Sequence, residues 1–313
     1  MFAPAVAAVT LFALGSAPSW KLPVSIMRGR LVAQSPLIRA LGVNPRDFVF
    51  RLDYLAGKLA SDEGARQEAP RRVDLEVQAK LELKLDAELL LNLCPTFGAV
   101  RGLDESFYND DPRAPPDPVA FYVPKPDAAG RYAAVVLLHG RTQTETDVVS
   151  RSVLLKLADA THAILIAPWG TGSALWGRAA GDEIVAILND VEREFPIDRQ
   201  RVYLAGLALG GSSAYRLAAR NPSRFHAVLS IGGALLPGDA FVFAHGFLGH
   251  AIYVVGADST YDALASACLP VSDYRLGAVS DAFYAAIPEI EQAWNDMFDG
   301  VIRNDNTREC SSS

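Results

Sequence analysis

From Val73 to Leu93 every odd position is apolar, and every even position from Asp74 to Glu88 is charged or Gln. A period of two marks an extended chain with one dry and one wet face. The segment is therefore expected to be extended, although its Leu, Glu, Lys and Ala favour helix. One strand of that length would span roughly 70 Å, more than ordinary sheets hold, so a break or bulge is expected around Asp86 to Glu88. The segment reads as a half-buried sheet strand, or alternatively as an exposed apolar edge that recruits a protein partner strand or a lipid surface. Ahead of it, residues 34–66 carry Leu37, Ile38, Leu41, Phe48, Leu52, Leu55 and Leu59 at helical intervals.

The pattern changes further along. Continuous apolar runs at 132–138, 163–167, 201–204, 226–231 and 251–255 have the length of strands buried on both faces. Helical stretches separate them. In one, Ile184, Ile187, Leu188, Val191 and Phe195 form a single face that Pro196 ends. Ala120 to Pro124 adds a short opening strand, a last strand is expected near Tyr274 to Val279, and a final helix carries Phe283, Ile287, Ile290 and Trp294. The expected fold class is α/β, a doubly wound and mostly parallel sheet with an N-terminal helical and extended appendage. The boundaries drawn are an apolar segment at 1–20, the appendage at 21–95, a Pro/Asp-rich connector at 96–119 and the α/β domain at 120–313.

The most specific chemistry lies at residues 201–211, RVYLAGLALGG. A nucleophile elbow, Gly-x-Ser-x-Gly, is complete there except that Ala208 stands at the serine position. Gly206 and Gly210 would let a strand and a helix close around the bend, and Gly211 would let the helix start pack tightly. Ser212 and Ser213 follow on the helix and face away from the apex.

Taken together, VVLLHG, IAPWG, FPIDRQRVYLAGLALGG and AARNPSRFHAVLSIGGA resemble the α/β-hydrolase superfamily. Within it they are most similar to carboxylesterases related to polyhydroxybutyrate depolymerases and feruloyl esterases, over roughly residues 118–300. The resemblance implies an α/β-hydrolase fold and a triad in the chain order nucleophile, acid, histidine. It places the acid at Asp258, after the 251–255 strand. It places the histidine after the last strand, where Gly277-Ala278-Val279-Ser280-Asp281 stands and Ser280 lies nearest the expected position. No histidine occurs after His250. The oxyanion donors implied are backbone N–H groups near Gly140 and Arg141 and at Leu209. His139, Trp169 and Trp176 are pocket candidates, with a loop-orienting reading for His139 and a packing reading for the tryptophans.

With nucleophile and base both missing, the resemblance implies a hydrolase fold that does not hydrolyse. It keeps a pocket for an ester-like or acyl small molecule or a protein partner. Two alternatives stay open: a serine carboxylesterase whose natural residue at 208 is serine, and an interaction protein acting through the N-terminal segment.

Composition bounds the rest. A chain of 313 residues, half apolar, buries a large core. Its net charge of −7 offers no footprint for nucleic acid. The charge is uneven, since residues 1–60 are net positive and the remainder strongly acidic. Met1 to Gly15 is apolar apart from Thr10 and too short to span a bilayer. It reads either as an export signal without a basic start or as a buried helix, so export and a cytoplasmic location both stay open, and a multi-span membrane protein is not expected. Cys94, Cys268 and Cys310 show no metal-ligand spacing, and neither a metal site nor a cofactor is expected.

Overall fold

The computed structural model describes residues 21–62, 69–91, 100–108, 117–141, 143–170, 176, 178–235, 250–276 and 282–303. In chain order the elements are helices α1 (Lys21–Ala33), α2 (Ser35–Ala40), α3 (Pro45–Asp62) and α4 (Ala69–Leu91), strands β1 (Gly102–Tyr108), β2 (Asp117–Val123) and β3 (Tyr132–Leu138), and helices α5 (Glu145–Val149) and α6 (Ser152–Thr161). They continue as β4 (Ala163–Pro168), α7 (Arg178–Glu194), β5 (Ile197–Leu207), α8 (Leu209–Arg220), β6 (Ala227–Ile231), β7 (Ala251–Val255), α9 (Asp258–Ser266), β8 (Val271–Tyr274), α10 (Ala282–Ala285) and α11 (Ile287–Asp299).

Eight strands form one sheet in the order β1-β2-β4-β3-β5-β6-β7-β8. Strand β2 runs antiparallel to both β1 and β4, and every later pairing is parallel. The five apolar runs are its centre: all seven residues of β3 and all six of β4 are buried. Side chains alternate across each strand, so one sheet face packs Val136, Leu204 and Val228 against α7 and α8. The other packs Val135, Tyr203 and Leu229 against α6 and α11, where Trp294 is fully buried. This is the doubly covered α/β sheet the sequence predicts.

Three expectations are corrected. Residues 73–91 are not extended; they lie in α4, a continuous helix without a break at Asp86. Buried positions fall at Asp74, Leu75, Gln78, Ala79, Leu81, Glu82, Leu85, Asp86 and Leu89, a helical spacing on one broad face. Strong helix formers outweigh the alternation, and the even positions are not a wet face, because Asp74, Gln78, Glu82 and Asp86 point inward one turn apart. No strand edge is therefore offered to a partner by residues 73–91. Leu93 lies outside the described residues.

The connector at 96–119 is corrected in part. It holds the edge strand β1, paired from Gly102↔Val123 to Tyr108↔Asp117. Glu105 hid that strand, because it reads as loop polarity while its carboxylate is wholly buried. The last strand is also earlier than expected, at Val271–Tyr274.

The N-terminal helices keep their own apolar cluster, including Leu31, Ile38, Leu52, Leu55 and Leu85, and Phe107 of β1 joins it. Among the described residues no helix is long and apolar enough to cross a membrane.

Candidate active site

Ala208 sits between the end of β5 and the start of α8 with φ 49° and ψ −113°. A non-glycine residue held at such a positive φ is strained, typically by about 1–3 kcal/mol. Its N–H donates to the Ile231 carbonyl at 2.8 Å, which ties the apex to the end of β6, and its own carbonyl accepts from Ser212 N–H at 3.0 Å. The methyl group is exposed at the carboxyl edge of the central strand.

The glycines around it are forced by backbone contact. A Cβ on Gly206 would lie 2.3 Å from the Gly210 carbonyl carbon, and one on Gly210 would lie 2.0 Å from the Leu138 carbonyl oxygen. That second contact presses the start of α8 against the end of β3 and His139, and a Cβ on Gly140 would lie 3.5 Å from the Leu207 carbonyl oxygen, so the elbow and residues 138–140 lie side by side. Leu209 is half-buried, and as the first residue of α8 its N–H has no intrahelical acceptor.

In the β3 loop, His139 is buried, with Nδ1 2.8 Å from the Gly140 carbonyl oxygen and Nε2 3.0 Å from that of Trp169. Both ring nitrogens thus face backbone acceptors, a geometry that orients the loop. The Trp176 indole donates to the His139 carbonyl at 3.1 Å, and both tryptophan rings flank the imidazole, at 5.8 Å for Trp169 and 5.0 Å for Trp176. The Gly140 N–H donates to Gln143 Oε1 at 2.7 Å, and Arg141 is exposed. Gln143 therefore holds one of the N–H groups expected to face an oxyanion. Nothing in the sequence singles it out, because the contact depends on how the loop folds back.

Asp258 is the first residue of α9, directly after β7 and Ala257. Strand β6 separates β7 from β5, so the Asp258 backbone and Ala208 share one edge of the sheet roughly 10 Å apart by strand spacing. Ser280 and His245 lie outside the described residues. The described histidines other than His139 are at the opposite edge: His162, His226 and His250 precede β4, β6 and β7, and His250 Nδ1 lies 3.3 Å from the His226 carbonyl. Among the described residues the structure thus brings Ala208, Leu209, Gly140 and His139 together and places no second histidine beside them. It also holds no cluster there that could bind a metal ion. Cys268 is disulfide-bonded.

A parallel sheet, a strained elbow after its central strand and a neighbouring His-Gly loop define an α/β-hydrolase fold. The fluorophosphonate-binding serine hydrolase F of Staphylococcus aureus superposes with a TM-score of 0.55 at 12% identity, over 63% of this chain and 98% of that one. An S-formylglutathione hydrolase of the same organism gives 0.52 at 15% identity, over 66% and 99%. The model of the esterase family named for polyhydroxybutyrate (PHB) depolymerase matches residues 118–279, and the chain belongs to that family. Among curated relatives, a probable feruloyl esterase C of Aspergillus terreus is 28% identical over 120 residues, covering 36% of this chain and 44% of that protein. An S-formylglutathione hydrolase of Mus musculus is 26% identical over 140 residues, covering 35% and 49%. The chain thus spans less than half the length of each.

Proposed function

We propose that this esterase-family chain, with alanine at the elbow, does not hydrolyse esters and uses the retained turn to bind an ester-like or acyl small molecule. The observation that carries the reading is what stands at the elbow: a methyl group at its apex and, among the described residues, no histidine placed to serve as a base. Acyl transfer needs a nucleophile and an oriented base. Alanine supplies no nucleophile, His139 faces two carbonyls, and the other described histidines lie at the far edge of the sheet. The Leu209 N–H at the start of α8 remains a donor for a carbonyl or carboxylate oxygen.

A second reading, a serine carboxylesterase whose nucleophile has been replaced by alanine, is favoured by the strain at Ala208, because an elbow freed of selection for catalysis has reason to relax. Hydrolysis of short p-nitrophenyl esters by the chain and by Ala208→Ser separates the two. Neither is expected to exceed a control protein. Saturable turnover by the unaltered chain would overturn the binding reading, and enzyme-like turnover by Ala208→Ser alone would establish the second.

A further inference from the structure

Residues 1–46 hold five of the chain's 29 Lys and Arg and none of its 36 Asp and Glu. Helices α1 and α2 lie in this stretch. Their buried positions Val24, Leu31 and Ile38 recur every seventh residue and enter the apolar cluster shared with α3 and α4. Opposite them, at helical spacing, stand Leu22, Ile26, Gly29, Ala33, Leu37 and Ala40, all exposed. The joint at Gln34 does not break this face. Gln34 N–H donates to the Arg30 carbonyl at 2.9 Å and Ile38 N–H to the Gln34 carbonyl at 3.1 Å, which is the hydrogen bonding of a continuous helix. Leu22 and Leu37 are each 67% exposed, and a Cβ added at Gly29 would meet nothing within 4 Å. Single exposed leucines are ordinary, whereas an apolar stripe along two helices marks a surface that something covers.

The charges around the stripe say what covers it. Arg28 is engaged by Asp53 of α3. Arg30, Arg39 and Arg46 are exposed and make no ion pair among the described residues. By helical spacing Arg30 and Arg39 fall on either side of the stripe. Beyond residue 46 the chain has 24 basic residues against 36 acidic ones, so an anionic surface repels the rest of the molecule and admits this face. A second copy of the face would set arginine against arginine.

We propose that the outer face of α1 and α2 docks on an anionic lipid surface. Its apolar side chains enter the boundary between headgroups and acyl chains, and Arg30, Arg39 and Arg46 pair with headgroup phosphates. The helices lie on the membrane and do not cross it, since no described helix is long and apolar enough to do so. The face shares no residue with the elbow, so it stands whether or not Ala208 binds anything.

Flotation of the full chain with vesicles of phosphatidylcholine alone, and with vesicles of phosphatidylcholine mixed with phosphatidylglycerol, tests the face. The chain should bind the mixed vesicles more tightly, and the binding should fall as salt rises from about 0.1 M to about 1 M, where screening shortens to about 3 Å. Arg30→Gln, Arg39→Gln and Arg46→Gln together should weaken it at least about tenfold. Leu22→Gln with Leu37→Gln should weaken it too and leave the circular dichroism unchanged, because both side chains already face outward. No binding to the mixed vesicles would overturn the proposal. So would binding, to either kind of vesicle, that these substitutions leave unaltered, because the apolar residues 1–20 or another surface would then be the anchor.

Discussion

Arg51 is the side chain on which the polar interior turns. It is 1% exposed; its Nε lies 2.9 Å from Glu82, its Nη2 2.7 Å from Glu105, and its Nη1 pairs with Glu145. Thr144 and Thr146 also donate to Glu82. One guanidinium thus faces three carboxylates, and Asp86 lies buried near them with both oxygens lacking a partner among the described residues. Burial holds the Asp86 carboxyl well above its ordinary range; the negative charge of Glu82 adds to this, and Arg51 opposes it. The folded state therefore keeps a proton that the unfolded chain releases near pH 4, so stability falls as pH rises above that value toward the folded pKa. Asp147 has the opposite sign: burial opposes ionisation there, but Arg151 and Lys58 outweigh it and hold the group low, so its contribution is lost as pH falls. Asp86→Asn removes the first dependence alone. Denaturant unfolding of both proteins from pH 5 to pH 8 should show a shallower loss in the variant, by up to about 1.4 kcal/mol per pH unit where the folded carboxyl is still protonated. Parallel pH profiles would show that Asp86 is ionised in the fold.

At the scale of elements, glycines separate what the elbow demands from what helices merely tolerate. Gly210→Ala drives a Cβ into the Leu138 backbone, which cannot rotate away as a side chain would, and should cost more than about 3 kcal/mol or prevent folding. Gly57 lies exposed in the middle of α3, and a Cβ added there would meet nothing within 4 Å, so Gly57→Ala should gain up to about 1 kcal/mol from helix propensity. Chemical denaturation of the two variants checks both, and a tolerated Gly210→Ala would mean that the β3 loop is not pressed against α8. The same contrast explains what was legible in the sequence. The five buried strands and the elbow could be read because their information is local: apolar runs between helical faces, and glycines at fixed offsets from Ala208. Helix α4 could not. Its apolar positions recur every second residue, and the inward turn of Glu82 depends on Arg51 and Thr146, and that of Asp74 on Ser152 and Tyr284, all far away in the chain. Strand β1 was hidden likewise by Glu105, a buried partner of the same arginine, and Gln143 by a loop contact that no periodicity records.

For the whole molecule, that arginine joins what the sequence divides. Arg51 on α3 meets Glu82 on α4, Glu105 on β1 and Glu145 on α5, and its guanidinium lies 4.9 Å from the Trp169 ring centroid, which in turn flanks His139 beside the elbow. The N-terminal helices are thereby tied to the loops of the candidate site through charge buried on both sides of the junction. Such a junction is unstable to partial removal: deleting one partner leaves the others desolvated and unpaired, typically at a cost of about 3–5 kcal/mol, whereas replacing the whole group by neutral side chains is far less damaging. Arg51→Met should therefore destabilise the chain by about that amount. Adding Glu82→Gln, Glu105→Gln and Glu145→Gln to it should recover much of the loss, a non-additivity expected of groups in one network. Thermal unfolding followed by far-ultraviolet circular dichroism and by tryptophan fluorescence should give one coincident transition in the unaltered chain, since the helices and the sheet share this cluster. Two separated transitions, or additive losses across the four substitutions, would mean that the helices merely rest on the hydrolase fold and that the buried charges do not couple them.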